Sequence, residues 1–239
     1  MSFSSRITIC ALLALPFGSD AAVVTLNGTD VDFTFDNSLL SLFGTPAVSG
    51  DSLIFSPTTF VANAANLAGL VVTNATMNVT VTPHAGQTLS NATLFEQGDY
   101  FRQEVFTPNS TAVAVLGQFI VDGTNAYSIA PAAPLSSVIT SFLSPAMTPW
   151  TSTTIAALSG SSAQLTVQNI LWAVSMQLGS GAFIEKKLVQ ISVDPAPVPI
   201  PAPVMLFMSA LAGVFVVSRR NDKITRLTNL KSKRTSARG

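Results

Sequence analysis

Few side chains in this sequence are equipped to act on a substrate. Its 239 residues include one histidine, His84, and one cysteine, Cys10. A Ser-His-Asp triad would have to use His84, which sits in Pro83-His-Ala-Gly86, a turn signal, and no Gly-x-Ser-x-Gly elbow accompanies it. One histidine and one cysteine are too few for a zinc site. The carboxylates offer more. Asp30, Asp32 and Asp36 are spaced by even numbers of residues, so a strand there would project all three from one face. Oxygen ligands of that kind suit Ca²⁺, although the spacing is not that of an EF-hand. The first reading of the set is a solvated polar face opposite Val31, Phe33 and Phe35; a Ca²⁺ site is the second. Glu96, Asp99 and Glu104 are candidates for a hydrolytic pair, which requires a cleft and a set carboxylate separation. For stacking on a sugar the candidate is Trp150, which follows Pro149 in a proline-rich stretch and is expected to be exposed, whereas Trp172 lies in an apolar strand and is assigned to the core. No cofactor is otherwise implied. The Asn-x-Ser/Thr sequons at Asn27, Asn74, Asn78, Asn91 and Asn109 are ascribed to abundant Asn and Thr.

The net charge is zero, yet the charges are strongly segregated. Residues 22–201 hold ten acids and three bases, a balance of −7. The tail from Arg219 to Gly239 holds eight bases and one acid, a balance of +7. Between them Pro195 to Ser218 carries no charge at all. That run contains an apolar stretch whose helix is placed at 204–218; counted from Ala202 to Ser218 it has 17 residues, the lower end of the ~17–25 that span a bilayer. Arg219-Arg220 directly after it form a stop-transfer signal, which puts the basic tail in the cytoplasm and the acidic portion outside. The tail is expected to meet anionic lipid headgroups, not nucleic acid.

The N-terminus fits export. Arg6 precedes an apolar run from Ile7 to Phe17, and Ser19-Asp20-Ala21 satisfies the small-x-small cleavage rule. Residues 1–21 therefore read as a signal peptide, and the mature chain is free of cysteine. This composition excludes a disulfide scaffold, a polar disordered chain and a multi-spanning membrane protein.

Residues 22–194 read as one exported domain. Val31–Asp36 and Thr76–Thr82 alternate apolar and polar residues, and the runs at 112–121, 164–174 and 183–193 continue the series. Turn signals stand at Asn27-Gly28, Ser49-Gly-Asp51, Pro83–Gly86, Gln97-Gly-Asp99, Asp122-Gly123 and Gly179-Ser-Gly181. Strands at that spacing predict a mainly β fold, an antiparallel β-sandwich or jelly roll. Short helical turns are expected near Val61–Leu70 and Leu135–Leu143, and residues 131–149, with four prolines, are expected to form a long surface loop. Residues 195–203 alternate proline with small residues and read as an extended linker.

The C-terminus has a recognisable order: Val198-Pro199-Ile200-Pro201-Ala202, one apolar helix over 204–218, then Arg219-Arg220. This resembles the PEP-CTERM sorting signals of bacterial exported proteins, most closely the Val-Pro-x-Pro-Ala variant. Ile200 stands where the namesake motif has Glu, and the tail continues past the arginines through 221–239. Residues 28–36, Gly44 and 48–55 also look like the N-terminal part of proteins carrying that signal. The resemblance implies an exosortase-type membrane protease as partner, cleavage near the proline motif and delivery to the cell surface or extracellular matrix, with a link to exopolysaccharide and biofilm. The expected protein is non-enzymatic. A carbohydrate-binding module, Ca²⁺-assisted, is the alternative, and a secreted hydrolase the third.

Overall fold

The structure, a computed structural model, describes residues 22–141, 146–199, 203, 206, 207 and 209–211. Residues 1–21, expected to be a signal peptide, and Ile200, Pro201, Ala202, Arg219 and Arg220 lie outside the described residues. Contacts divide the chain into two units, Met1–Ala196 and Pro197–Gly239.

The first unit is built of strands that form two antiparallel sheets. One has the order β1 (Val23–Asn27), β2 (Val31–Asp36), β6 (Gly69–Pro83), β11 (Ala163–Ser175), β8 (Thr111–Val121), β9 (Asn125–Ile129). The other has the order β10 (Thr148–Ala157), β7 (Gln87–Gln103), β12 (Gly181–Pro197), β4 (Ser52–Phe55), β3 (Pro46–Ser49), with β5 (Val61–Ala65) also paired to β12. The mainly β, sandwich-like expectation is met. Side chains of both sheets alternate between a shared interior and the outside, as the two-residue strand period requires. Val31, Phe33 and Phe35 of β2, Met77, Val79 and Val81 of β6, and Leu165, Val167, Leu171 and Ala173 of β11 all face inward. Phe43 meets Phe55 and Phe60 edge-on, with ring centroids 6.0 and 5.6 Å away. Full burial of each such ring stabilises the fold by about 2 kcal/mol.

Several expectations need correction. Val61–Leu70 is not a helical turn: β5 and the start of β6 occupy it, with Ala62 and Ala64 packed into the core. Among the described residues of 135–141 there is no helix either, and Ile139 instead bridges Gln103. The proline linker begins later than expected, because β12 runs on through Pro197. Pro195 and Pro197 alternate along it, so their missing N–H donors lie on one side of the strand, where a ladder does not need them.

The most informative correction concerns Gln97-Gly-Asp99. It is not a turn but the interior of β7, a 17-residue strand. Gly98 faces Trp150 across the β10–β7 ladder. A Cβ at Gly98 would sit 1.9 Å from the Glu185 carbonyl oxygen and 2.8 Å from the Trp150 indole. The glycine is there for close approach: it leaves room for the indole, whose Nε1 donates to that same carbonyl at 3.1 Å. A second device acts in β12. Ala182, Ile184 and Lys186 are buried, then Val189, Ile191 and Val193, so the inward parity slips by one residue at 187–188. The slip is what a β-bulge produces, and it falls between the segment that pairs β5 and the segment that pairs β4.

Gly98→Ala is therefore expected to destabilise the domain by about 3 kcal/mol or more through overpacking against rigid backbone. Urea unfolding followed by Trp150 fluorescence measures it, and a loss below 0.5 kcal/mol, the ~0.5 kcal/mol scale of an ordinary surface change, would refute the close-approach role.

Candidate functional site

The acidic residues singled out at the N-terminal end do not converge. Asp30 precedes β2, where its backbone N–H donates to Asp51 Oδ1 at 2.7 Å and its carbonyl accepts from His84 N–H. Asp32 lies 2.9 Å from His84 Nε2. Asp36 caps the 3₁₀ turn at Asn37–Leu39, accepting from the Ser38 N–H and hydroxyl. Each carboxylate thus has its own task, and among the described residues no group of three or more His, Cys, Asp or Glu side chains could hold a metal ion. The shared-face argument fails at Asp30 because the strand begins one residue later. His84, far from being merely solvated, is paired: the hydrogen bond to Asp32 raises its pKa above the ordinary histidine value, and burial opposes this only in part.

The carboxylates considered for hydrolysis are also separated and engaged. Glu104 accepts four hydrogen bonds: from Thr111 N–H, Thr111 Oγ1 and Arg102 Nη2 on Oε1, and from Asn109 N–H on Oε2. Burial pushes its pKa up, but those donors outweigh the effect and hold it below the usual carboxylate range. It closes the 104–111 loop between β7 and β8. Asp99 is on the outside of β7, paired with Lys187, which also reaches Glu185 at 3.1 Å.

Glu96 is different. It faces the interior, fully buried, and so does its partner Lys186. Lys186 Nζ lies 2.6 Å from Glu96 Oε2, and Asn169 Nδ2 donates to Glu96 Oε1, also at 2.6 Å. The three come from β12, β7 and β11, so the cluster ties the two sheets together. Lys186 Nζ also lies 5.5 Å from the Phe60 ring and 5.7 Å from the Trp150 ring. Burial holds the Lys186 ammonium below the ordinary lysine range, and Glu96 pulls against that shift. Asn169 Oδ1 is buried and has no hydrogen-bond partner. It lies over Gly117, where a Cβ would come within 3.2 Å of it.

Sequence reasoning weighed Glu96 only as a hydrolytic candidate and missed Lys186 and Asn169. The signal was present as a break in alternation. Leu165, Val167, Asn169, Leu171 and Ala173 occupy one parity, as do Ala92, Leu94, Glu96, Gly98 and Tyr100, and each series has one strongly polar member.

The two tryptophans exchange the places assigned to them. Trp150, the proposed sugar contact, is 4% exposed and packed over Gly98, so no glycan reaches it. Its position in β10 rather than in the proline-rich loop is what buries it. Trp172 is half-buried on the outer face, since Leu171 and Ala173 take the inward positions. With Gly69, Leu70, Val174 and Met176 it lines an open groove of about 380 Å³. In the register of β6, β11 and β8, Leu70, Val174 and Ala112 form one outward row, Val72, Trp172 and Ala114 the next. An outward apolar block of this kind is the sort of surface that makes contacts. It offers stacking but little hydrogen bonding, which suits a sugar poorly.

No family model matches the chain, and no curated protein is similar to it.

Two outcomes follow from this geometry. Histidine NMR, unambiguous with one histidine, should give His84 a pKa above about 6.5, and Asp32→Asn should lower it. By linkage the pair stabilises the fold fully below the unfolded-state value and loses that contribution as pH rises through the raised folded value; unchanged titration in Asp32→Asn would contradict the pairing. Lys186→Met alone is expected to cost about 3–5 kcal/mol by leaving Glu96 buried and unpaired. Adding Glu96→Met should recover part of that loss, as a double-mutant cycle would read; strict additivity would refute the coupling.

Proposed function

We propose that the chain is an exported, non-enzymatic cell-surface or matrix protein, delivered by a signal peptide and a C-terminal PEP-CTERM-type sorting signal. The observation that carries this reading is the order of segments: an acidic β domain, an exposed proline stretch, an uncharged apolar run and a basic tail. Val198, at the start of the proposed motif, is half exposed, which suits access by a protease. Described residues of the apolar run support a helix: 206, 207 and 209–211 are helical, and Leu206 and Phe207 are 69% and 65% exposed. Exposed apolar side chains at these positions fit a lipid environment. Among the described residues no helix is long and apolar enough to cross a membrane, and most of 204–218 lies outside them. In this reading an exosortase-type protease cuts within Val198–Ala202, and Arg219-Arg220 fix the orientation.

A structural or adhesive role for the β domain agrees with how its charges are used. All three of its basic side chains are committed to internal ion pairs, Arg102 with Glu104, Lys186 with Glu96 and Lys187 with Asp99. The exposed apolar block around Trp172 supplies contact area.

Mass spectrometry of the protein recovered from the native host tests the sorting. The expected mature form begins at Ala22 and ends within residues 198–203. A full-length C-terminus in the membrane fraction would overturn cleavage and leave a single-pass anchor.

A further inference from the structure

The buried cluster of Glu96, Lys186 and Asn169 holds an amine and a carboxamide on the two oxygens of one carboxylate. Lys186 Nζ is 2.6 Å from Oε2 and Asn169 Nδ2 is 2.6 Å from Oε1. Two details are anomalous for a resting ion pair. Asn169 Oδ1 is buried without a partner, although a buried acceptor left unsatisfied is costly. The Nδ2–Oε1 contact is shorter than the usual ~2.9–3.0 Å of an N–H···O bond and falls in the O–H···O range. Amide oxygen and nitrogen are assigned from such networks. A half-turn of the Asn169 amide accounts for the short contact, because Oδ1 then faces Glu96 Oε1 and 2.6 Å is an ordinary O–H···O distance once the Glu96 carboxyl carries a proton; Nδ2 then takes the unpartnered position over Gly117. Lys186, on the other carboxylate oxygen, is the group placed to supply that proton. Burial already disfavours the ammonium form. Gly117 opposite Asn169 leaves room beside that end of the amide, where a Cβ would come within 3.2 Å.

We propose that Lys186 and Asn169 form an intramolecular isopeptide bond, with Glu96 carrying the protons. The Lys186 ammonium gives a proton to Glu96. The Glu96 carboxyl donates to Asn169 Oδ1 and polarises the carbonyl, and the Nζ lone pair attacks Cγ. Glu96 then takes a proton from Nζ and delivers it to Nδ2. The Cγ–Nδ2 bond breaks, ammonia leaves, and the proton on the oxygen returns to Glu96. Amine plus carboxamide gives amide plus ammonia, with no oxidant or cofactor needed. A buried ion pair is replaced by a neutral amide and a neutral carboxyl, which relieves the desolvation of two charges. The Phe60 and Trp150 rings beside Nζ keep water from the reacting atoms.

Cleavage after methionine tests the bond in the full chain. Met176 lies between Asn169 and Lys186, and Met147 between Glu96 and Asn169. Cyanogen bromide treatment of denatured protein should leave segments 148–176 and 177–205 joined, about 17 Da lighter than the two unlinked segments together, for the ammonia lost. In Glu96→Gln, shown to be folded by circular dichroism, the segments should part. Lys186→Arg is the second variant, keeping the charge without the competent amine, and its segments should part too. Parted segments in the wild type overturn the proposal. Joined segments in Glu96→Gln overturn the role of Glu96, and joined segments in Lys186→Arg overturn Lys186 as the nucleophile. A loss of about 18 Da joining segment 78–147 to 177–205 would place the bond on Glu96 itself and overturn Asn169 as the acyl donor. The wild-type result decides the bond even where a variant fails to fold.

Discussion

As the chain folds, before any bond joins them, two opposite charges inside an apolar sandwich constrain the strands around them. A lone buried carboxylate or ammonium costs several kcal/mol, ~3–5 kcal/mol when one partner of a buried pair is removed. Glu96 and Lys186 therefore fix each other's strands. Glu96 requires β7 to present its even-numbered residues inward, and Lys186 requires the same of the first half of β12. A shift of one residue in either strand would send the charge to the other face. Asn169 extends the constraint to the opposite sheet. The parity slip at 187–188 becomes intelligible in this light. It lets β12 bury Lys186 while the second half of the strand buries Val189, Ile191 and Val193.

The pleat also separates what the sequence places side by side. Lys186-Lys187 reads as a small basic patch. In the strand the two ammonium groups point to opposite faces, one toward Glu96 in the core and one toward Asp99 and Glu185 outside. Electrostatics follow the environment. Burial lowers the pKa of Lys186, whereas the hydrogen bond to Asp99 raises that of exposed Lys187. Neighbours in sequence thus end with opposite shifts. The −7 balance of the domain is consequently presented almost wholly by carboxylates, because its few cations are spent in pairs.

Much of the fold was legible in the sequence, for a physical reason. Strands buried on one face must alternate, so β2, the second half of β6, β8 and β11 announce themselves. The ends of β6 and the whole of β7 were harder. Leu70 and Val72 are apolar but point outward, and Gln97-Gly98-Asp99 carries turn composition inside a strand. Composition cannot distinguish a glycine needed for a turn from one needed for close approach; only the partner across the ladder does, here Trp150. The same blindness exchanged the tryptophans. In the run Ile170-Leu171-Trp172-Ala173-Val174 every residue is apolar, so parity was undefined and Trp172 was placed inside. The site was legible only as three polar exceptions in otherwise apolar series. Their convergence depends on pairing across sheets, which no single strand encodes.

The cluster also answers a problem posed by composition. Residues 22–239 contain no cysteine, so the β domain has no disulfide with which to lock its sheets. Covalent closure of a loop of about 15 residues stabilises a fold by ~3 kcal/mol in the chain-entropy account, and the interval from Asn169 to Lys186 is of that order. The position matters as much as the magnitude. β12 is the last strand before the proline stretch, so in an anchored protein any pull on the C-terminus enters the domain there. β12 lies between β7 and β4 in its sheet, so within that sheet such a load is carried by ladder hydrogen bonds alone. A tie from β12 across to β11, a central strand of the opposite sheet, would pass the load directly into the core. A polar triad that is expensive to bury is then placed where a sandwich without cysteines most needs a cross-sheet connection.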